Sequence, residues 1–394
     1  QYADEIVMIG AHRDAWGLGA CDDISGTVTI LEVARSLAVL RDQYGWTPKR
    51  SIMLGSWDGE EWGLYGSVDF NEQTDNQWKH KVVAYLNFDM TVVGGRPRLQ
   101  GNPILRELLL ESGKLVDYPY QNLRHYNNNP MNDTNYTFSV FDTWWDFDVD
   151  ASNNLPLTAT NSDFGGFEYF SGIPCLGAGF YSEVAYTYHT FYDVNGWMDV
   201  VDPKWDFAKA VAQYGGNMLL RLVASDILPF DFTRLALKLV EWATVDLPDY
   251  ANARCNISSD LWNGLVDVSK RFNESAHGLH QFVEANTPNI SYVNNETVVS
   301  NYNAGNIELI NSILKNVMRK LTLPADDDEG DALISNPWYN QIVWKPGSTR
   351  YPFIWDTVAR GGCNQTSIAH AFQLTVRYIQ SAIDLIVQYQ TPDY

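Results

Sequence analysis

Residues 1–231 alternate short apolar runs with stretches of helical periodicity. A helix is predicted over residues 24–38, where apolar residues recur at spacings of three and four, and Asp22 or Asp23 is suited to cap it. A second helical stretch, Phe164–Phe170, precedes the last predicted strand. The predicted strands are Ile6–Ile9, Ser51–Trp57, Val82–Asn87 and Ile173–Ala178. Strands that alternate with helices indicate an α/β domain with a mainly parallel sheet.

From about Asp231 the pattern changes to helices only, which predicts a second, helical domain over residues 232–394. Its predicted helices are Leu235–Val245, Leu261–Val283, Ile307–Leu321 and Ile368–Val387. Residues 115–160 show no clear period and are rich in Asn, Asp, Pro and Tyr, so we expect a long irregular excursion there.

Composition limits the classes of function. Of the 394 residues, 45% are hydrophobic and 13% aromatic, which is typical of a folded globular protein. A formal charge of −21 makes nucleic acid an unfavourable partner, because phosphates repel an acidic surface. No apolar run reaches the roughly 18 residues of a membrane-spanning helix. The chain opens at Gln1 without a signal peptide, so we expect a product whose N-terminal part is missing.

Cysteine spacing and glycosylation motifs point to a cellular compartment. Four cysteines show no CxxC spacing, which argues against a thiolate zinc site, and their pairing does not follow from sequence. Acceptor motifs for N-glycosylation begin at Asn132, Asn135, Asn256, Asn273, Asn289, Asn295 and Asn364. They favour a secreted or lumenal protein over the alternative of Asn-rich loops.

Residues able to bind a metal follow every predicted strand. They are His12, Asp14, Asp22, Asp58, Glu60, Glu61, Asp89 and His189. Ligands of open parallel sheets bind beyond the carboxyl ends of the strands, where these residues converge. So many carboxylates repel one another unless a cation neutralises them, and a mixture of His and carboxylate suits zinc. Each residue alone has an ordinary explanation as a helix cap or a solvated side chain; their joint placement favours the metal site.

Two neighbouring metals explain the number of these residues. A pair about 3.5–4 Å apart needs a bridging carboxylate, about two further ligands each, and a base to deprotonate the water between them. The tandem Glu60-Glu61 can supply one ligand and the base. Asp14, two residues beyond His12, is placed to accept the other N–H of the imidazole.

The metal-binding motifs resemble those of the M28 metallopeptidases, in the branch of glutamate carboxypeptidase II and the transferrin receptor. The matching segments are 10–16 (GAHRDAW), 19–22 (GACD), 56–67 (SWDGEEWGLYGS), 87–89 (NFD) and 188–190 (YHT). The resemblance implies a zinc-exopeptidase domain of phosphorylase/hydrolase-like fold over residues 1–231. It also implies a transferrin receptor-like dimerisation domain over 232–394 and an apical domain that this chain lacks.

The resemblance assigns a role to each motif residue. His12 and Asp89 would bind one zinc, Glu61 and His189 the other, and Asp22 would bridge them. Glu60 would be the general base, and Tyr188 would stabilise the oxyanion. The Asp22-Asp23 peptide bond would be cis. Asp69 and Glu72 match two calcium ligands of the branch.

Substrate-binding positions depart from the family pattern. Gly177 and Gly179 stand where the branch has two arginines that hold acidic substrate side chains, and Ser162 replaces a substrate-binding Asn. Preference for an acidic residue on the amino side of the scissile bond is therefore not expected. Arg350-Tyr351 resembles a Lys-Tyr pair that grips the terminal carboxylate of the substrate.

The sequence thus predicts a homodimeric two-zinc exopeptidase acting on peptides, as a carboxypeptidase or an aminopeptidase. The first alternative is a non-catalytic receptor or scaffold like the transferrin receptor, which lacks a complete ligand set. The second is a glutaminyl-cyclase-like transferase, which uses a single zinc.

Overall fold

The computed structural model describes residues 2–120, 137–147, 161–182, 187–293, 296–300, 303–324, 340–345, 349–360 and 362–390. The chain forms two compact units. The first comprises Gln1–Phe167 and Pro174–Ala224, and the second comprises Glu168–Ile173 and Ser225–Tyr394. None of the described helices is both long and apolar enough to cross a membrane.

A five-stranded sheet is the frame of the first unit. Its strands are β1 (Tyr2–His12), β2 (Arg50–Trp57), β3 (Val82–Asn87), β4 (Arg96–Gly101) and β5 (Cys175–Tyr181). They lie in the order β2-β1-β3-β5-β4, and all neighbours are parallel except the β5–β4 pair. The predicted mainly parallel sheet is confirmed. The antiparallel edge strand β4 was not predicted, because its sequence, RPRLQG, mixes charge and proline with a single leucine.

The central strands have continuous apolar runs because both of their faces are buried. Residues 5–12 of β1 and every residue of β3 are buried. The helices of this unit are α1 (Ile24–Tyr44), α2 (Tyr65–Trp78), α3 (Arg106–Gly113), α4 (Val140–Phe147), Asn195–Val201 and Asp206–Ala224. Phe164–Phe170, predicted helical, ends in the π-helical turn Gly166–Phe170, which the division into units splits between them.

Asp23, rather than Asp22, caps α1. Its carboxylate accepts a hydrogen bond of 2.9 Å from the Gly26 N–H, and the peptide bond between Asp22 and Asp23 is cis, as the resemblance implied. Gly26 is required here because a Cβ would lie 2.1 Å from the Phe88 carbonyl oxygen. The helix therefore begins against the end of β3, and the Asp22 carboxylate is left for other contacts.

The second unit is mainly helical. The predicted helices are observed as Thr233–Glu241 with the π-helical turn Trp242–Asp246, Ser259–Asn286, Ala304–Lys320 and Gln365–Ile386; Leu247–Asn252 and Pro352–Ala359 are further helices. The expectation of helices only is wrong. β6 (Asn289–Val293) and β7 (Glu296–Ser300) form an antiparallel hairpin, and β8 (Trp344–Lys345) pairs with β9 (Thr349–Arg350). The first hairpin strand has two β-branched residues and a tyrosine, and the second has three β-branched residues, all of which favour strands over helices.

Covalent and ionic links hold the second unit together. Cys255 and Cys363 form a disulfide across 108 residues of sequence, whereas Cys21 and Cys175 of the first unit are buried thiols outside any disulfide among the described residues. The Lys345 ammonium forms an ion pair with the Asp356 carboxylate, and both side chains are largely buried. The contacts divide the chain at Ala224/Ser225, a few residues before the predicted boundary at 231/232.

Candidate metal centre

Strand register brings the predicted ligands together. His12 at the end of β1 is level with Trp57 at the end of β2, and Asn87 at the end of β3 is level with Gly10 and Gly177. The three parallel strands therefore end at one edge of the sheet. The loops that follow them carry Asp14, Asp22, Glu60, Glu61, Asp89 and His189 to this edge.

Two groups of three side chains form at this edge. In the first, His12 Nε2 lies 3.2 Å from Asp22 Oδ1 and 3.6 Å from Asp89 Oδ1. In the second, His189 Nε2 lies 3.1 Å from Asp22 Oδ2 and 2.8 Å from Glu61 Oε2. The potential ligand atoms within each group all lie within 4.8 Å of one another.

Asp22 belongs to both groups because its two oxygens face different imidazoles. Its loop is fixed by two carboxylates, of which the sequence reasoning missed Asp193 and named Asp23 only as a helix cap. Asp193 accepts hydrogen bonds from the N–H groups of Cys21, at 2.8 Å, and Asp22, at 3.1 Å. Asp23 also accepts from the Met90 N–H at 2.9 Å. No local pattern could identify Asp193, since its partners lie more than 170 residues away in sequence.

Asp14 supports the centre in a different way from the one predicted. The expected contact was from its carboxylate to His12. Instead, His12 Nδ1 lies 2.9 Å from the Asp14 carbonyl oxygen and 3.6 Å from its carboxylate. The carboxylate accepts the N–H groups of Glu60, at 3.1 Å, and Glu61, at 3.2 Å. It is therefore used to shape the turn that carries the tandem glutamates.

Burial and like charges shift the pKa values of the centre. Burial raises the pKa of Asp22 and that of Glu61, and neighbouring carboxylates raise them further. For His12, burial alone would lower the pKa, but the carboxylates of Asp22 and Asp89 outweigh it and raise the pKa strongly. Such a cluster favours any bound cation, because the cation removes the repulsion that otherwise forces protons onto these groups.

Glu60 stands beside the two groups but belongs to neither of them. Its Oε2 atom is 3.9 Å from His12 Nε2, and burial, followed by the charge of Asp89, raises its pKa to about 9. Behind it lies the fully buried Asp163, which the sequence reasoning missed and whose pKa burial raises to about 7. A carboxylate with a raised pKa is suited to accept and return a proton near neutral pH.

Tyr188 stacks on His189, with ring centroids 3.6 Å apart. Burial, followed by the negative charge of Asp22, raises the pKa of its phenol, so the hydroxyl stays protonated at neutral pH. The side chain is 40% exposed and lines the cleft beside Asp22. It can therefore donate a hydrogen bond to a bound ligand.

Strand β4 supplies the cation of the cleft. Arg98 and Gln100 pair in register with Gly179 and Gly177, the positions at which the family pattern has arginines. A Cβ on Gly179 would lie 2.9 Å from the Thr91 carbonyl oxygen, which leaves no room for a side chain. Among the described residues that line the cleft, Arg98 alone is a lysine or an arginine. The sequence reasoning missed it because β4 itself was not predicted.

A hydrogen-bonded chain closes the inner wall of the cleft. Trp57 donates to the Tyr85 hydroxyl, Tyr85 to Asn87, and Asn87 to the Ser162 hydroxyl, at 2.7–2.9 Å. Ser162 lines the cleft as expected for a substrate-binding position, but its hydroxyl already accepts the Asn87 amide. Its contact with substrate stays a prediction.

Two further pairs of predicted site residues gain no support. Tyr351 is fully buried, and its hydroxyl contacts the Leu239 carbonyl oxygen at 2.8 Å and Ser269 at 3.0 Å, so the expected grip on a substrate carboxylate would require it to leave these partners. Arg350 lies 3.5 Å from Asp246. Asp69 accepts hydrogen bonds from Gln73, and neither Asp69 nor Glu72 joins a potential metal-binding group among the described residues.

The donor sets fit zinc. Each group offers one imidazole and two carboxylates, and catalytic zinc sites use three protein ligands and keep one open position. The shared carboxylate of Asp22 is the feature that two adjacent metals require.

Comparison with known proteins shows the family. The pattern of peptidase family M28 matches residues 1–199, half of the chain, and the chain belongs to this family. A probable glutamate carboxypeptidase of Arthroderma benhamiae is 35% identical over 70% of this chain and 38% of its own length. A probable glutamate carboxypeptidase of Arabidopsis thaliana is 28% identical over 90% and 47%. The mouse aminopeptidase NAALADL1 (Mus musculus) is 32% identical over 58% and 31%.

The chain thus spans less than half the length of these curated relatives. Among solved structures, a zinc aminopeptidase of Bacillus subtilis overlaps with a TM-score of 0.39 at 19% identity, covering 57% of this chain and 47% of the other. That overlap is too weak to add to the family assignment.

Proposed function

We propose that the protein is a two-zinc exopeptidase that hydrolyses peptide bonds at a chain end. The observation that carries the proposal is the pair of ligand groups that share Asp22, with Glu60 beside them and outside both. His12, Asp89 and Asp22 would hold one zinc, and His189, Glu61 and Asp22 the other. Bound zinc would acidify water and polarise the peptide carbonyl.

The residues of the chain divide the remaining work. Glu60 takes a proton from the attacking water and returns it to the leaving amine, so the proton is conserved through the reaction. Tyr188, kept protonated by its raised pKa, donates a hydrogen bond to the carbonyl oxygen as negative charge develops there. Asp14 holds the turn of Glu60 through main-chain hydrogen bonds, which keeps the base aimed at the site.

The cleft beside the centre would receive one end of the peptide. Its polar lining and its arginine suit a substrate with a carboxylate, supplied by the chain terminus or by an acidic side chain. The names of the relatives include both carboxypeptidases and an aminopeptidase. Substrates for both directions therefore belong in the test.

The setting of the enzyme is part of the proposal. A disulfide between Cys255 and Cys363 suits the oxidising secretory pathway, and the acceptors Asn256 and Asn364 beside it are exposed. Asn273 is less suited to glycosylation, because it lies half-buried in the middle of a helix. Asn132, Asn135 and Asn295 lie outside the described residues, as does the side chain of Asn289. A homodimer through the helical domain and a calcium ion at Asp69 and Glu72 stay proposals from the family resemblance.

A direct assay tests the proposal. The zinc-reconstituted protein is incubated with short peptides blocked at one end or the other, beside Glu60→Gln and the matched control Glu32→Gln, a partly exposed glutamate of α1 that pairs with Arg35. We expect turnover, near two zinc ions per chain, and a loss on the order of 10²–10⁴-fold in Glu60→Gln alone. Turnover that survives Glu60→Gln would contradict the role of the base, and no turnover with no bound zinc would support the scaffold alternative.

A further inference from the structure

Three exposed aromatic side chains are carried by the loops that hold the predicted metal ligands. Trp16 follows the ligand His12, Trp62 follows Glu61 directly, and Phe191 comes two residues after His189. Their exposed fractions are 40%, 66% and 89%. We call these three residues the aromatic ledge.

Contacts fix the ledge to the second ligand group. The Trp16 N–H donates to Glu61 Oε1 at 3.3 Å, so the backbone that carries the indole also binds a predicted metal ligand. The rings of Trp16 and Trp62 pack with their centroids 4.8 Å apart. The Phe191 ring lies 3.7 Å from the position that a Cβ on Gly17 would take, which places it beside the Trp16 loop.

The two sides of the centre differ in chemistry. The cleft is lined by carboxylates, small residues, an arginine and the aromatic side chains of Phe180, Tyr181 and Tyr188, and none of the ledge residues takes part in it. The ledge offers only aromatic surface, and it offers it to solvent, where exposed apolar surface is unfavourable. Contiguous exposed apolar surface usually marks a binding site. A peptide whose scissile bond lies at the metal centre would place one neighbouring residue towards the cleft and the other towards the ledge.

We propose that the aromatic ledge is a specificity-determining subsite that binds the substrate side chain on the Glu61–His189 side of the scissile bond. It selects aromatic and large aliphatic side chains, because the paired indoles present a rigid apolar face at little cost in side-chain entropy. The proposal rests on the exopeptidase function proposed above. It adds a substrate preference to that function.

Peptides that differ in one residue test the ledge. The probes are Ala-Ala-amide, Ala-Phe-amide and Phe-Ala-amide for release from the amino end, and acetyl-Ala-Ala, acetyl-Ala-Phe and acetyl-Phe-Ala for release from the carboxyl end. Within each set, the two phenylalanine peptides place phenylalanine on opposite sides of the scissile bond. We expect the wild type to cleave one of these two with a kcat/KM about tenfold above that of the alanine peptide.

The variants separate the ledge from the catalytic centre. In Trp62→Ala the preference should fall to about twofold while turnover of the alanine peptide stays within about threefold of wild type, because a large side chain loses only its own contacts. Trp62→Phe should keep most of the preference. Tyr44→Ala, which removes an equally exposed aromatic at the end of α1, should change neither value. If Trp62→Ala fails to fold by circular dichroism, Trp16→Ala is read in the same way.

Each other outcome overturns the ledge. The ledge has no role in specificity if Trp62→Ala keeps the preference for phenylalanine. The same holds if Trp62→Ala lowers kcat/KM equally for the phenylalanine and alanine peptides. If light scattering shows that Trp62→Ala dissociates a dimer without changing the preference, the ledge is a subunit interface. A wild type that cleaves no peptide overturns both proposals. If the alanine peptides are cleaved and this cleavage requires Glu60, the exopeptidase function stands even when the role of the ledge is disproved.

Discussion

Buried charges are arranged differently in the metal centre and in the helical unit. In the centre, four carboxylates (Asp22, Glu60, Glu61 and Asp89) surround two imidazoles with no Lys or Arg bound to them in the described ion pairs. In the helical unit, the buried Asp356 is paired with Lys345, and Arg350 lies over the Trp242 ring and beside Asp246.

The difference reflects function rather than location in one unit or the other. The first unit also contains a buried pair of the structural kind, Arg50 with Glu5 at 2.7 Å, so its charges are not generally left unbalanced. A paired charge supports the fold, whereas a cluster of like charges destabilises the fold unless a ligand balances it. The unbalanced cluster therefore indicates where a cation binds.

Removing the carboxylate of Asp22, which both ligand groups share, should have the largest effect on turnover and zinc binding. Asp22→Asn replaces one of two ligand oxygens with an amide group, so one zinc should lose a ligand and its charge balance. We expect turnover to fall on the order of a thousandfold, since a metal supplies several kcal/mol of charge stabilisation. Zinc analysis after dialysis should show clearly fewer than two ions per chain. Two retained zincs with full turnover would contradict the bridging role.

Breaking the ion pair between Lys345 and Asp356 should lower the free energy of unfolding and leave metal binding unchanged. Lys345→Met leaves the Asp356 carboxylate buried without its ammonium partner, which costs about 3–5 kcal/mol. Urea unfolding measures this loss. The control, Lys114→Met, breaks an exposed pair with Glu111 and should cost about 0–1 kcal/mol. Equal costs for the two variants would remove the distinction between buried and exposed pairs.

The stability of the metal-free protein should decrease as pH rises. Glu60 and Asp163 have pKa values raised to about 9 and about 7, so the folded state holds protons that the unfolded chain releases near pH 4–4.5. Unfolding is therefore favoured progressively from about pH 4.5 to about pH 9. A domain of this size loses about 2–4 °C in Tm per kcal/mol, so we expect a fall of several degrees. Calorimetry at pH 5, 7 and 9 with chelator checks it.

Zinc should reduce this pH dependence, because a bound cation stabilises the ionised carboxylates over the same range. The same calorimetry with zinc in place of chelator provides the control. A Tm that falls equally in both samples would show that the dependence arises elsewhere in the protein.

The smallest expected effect concerns Arg98, the arginine among the described residues that line the cleft. Arg98→Met should raise KM about tenfold for the peptide whose carboxylate enters the cleft, because a charge-assisted hydrogen bond contributes about 1.5–3 kcal/mol. A variant at an exposed arginine of α1, Arg41→Met, should leave KM unchanged. Steady-state kinetics decides it, and a fall in kcat at constant KM would contradict a binding role.

Local pattern was sufficient where the physical cause is local. The strands β1, β2 and β3 are predictable because buried parallel strands need continuous apolar runs. The ligand types are predictable because they follow those strands directly. The edge strand β4 and the hairpin β6–β7 were not predicted. In β4, few apolar residues are needed at an edge, and the hairpin depends on strand pairing rather than helical period.

The sequence by itself determined the family, the parallel sheet and the identity of the residues that can bind a metal, because these follow from short-range periodicity and conspicuous motifs. Only the tertiary structure decided how they are used. It gave Asp22 one oxygen for each imidazole, turned the Asp14 carboxylate to the glutamate turn, and placed Arg98 opposite Gly179. These arrangements join segments distant in sequence, and their distances are set by strand register and loop closure, which no local pattern records.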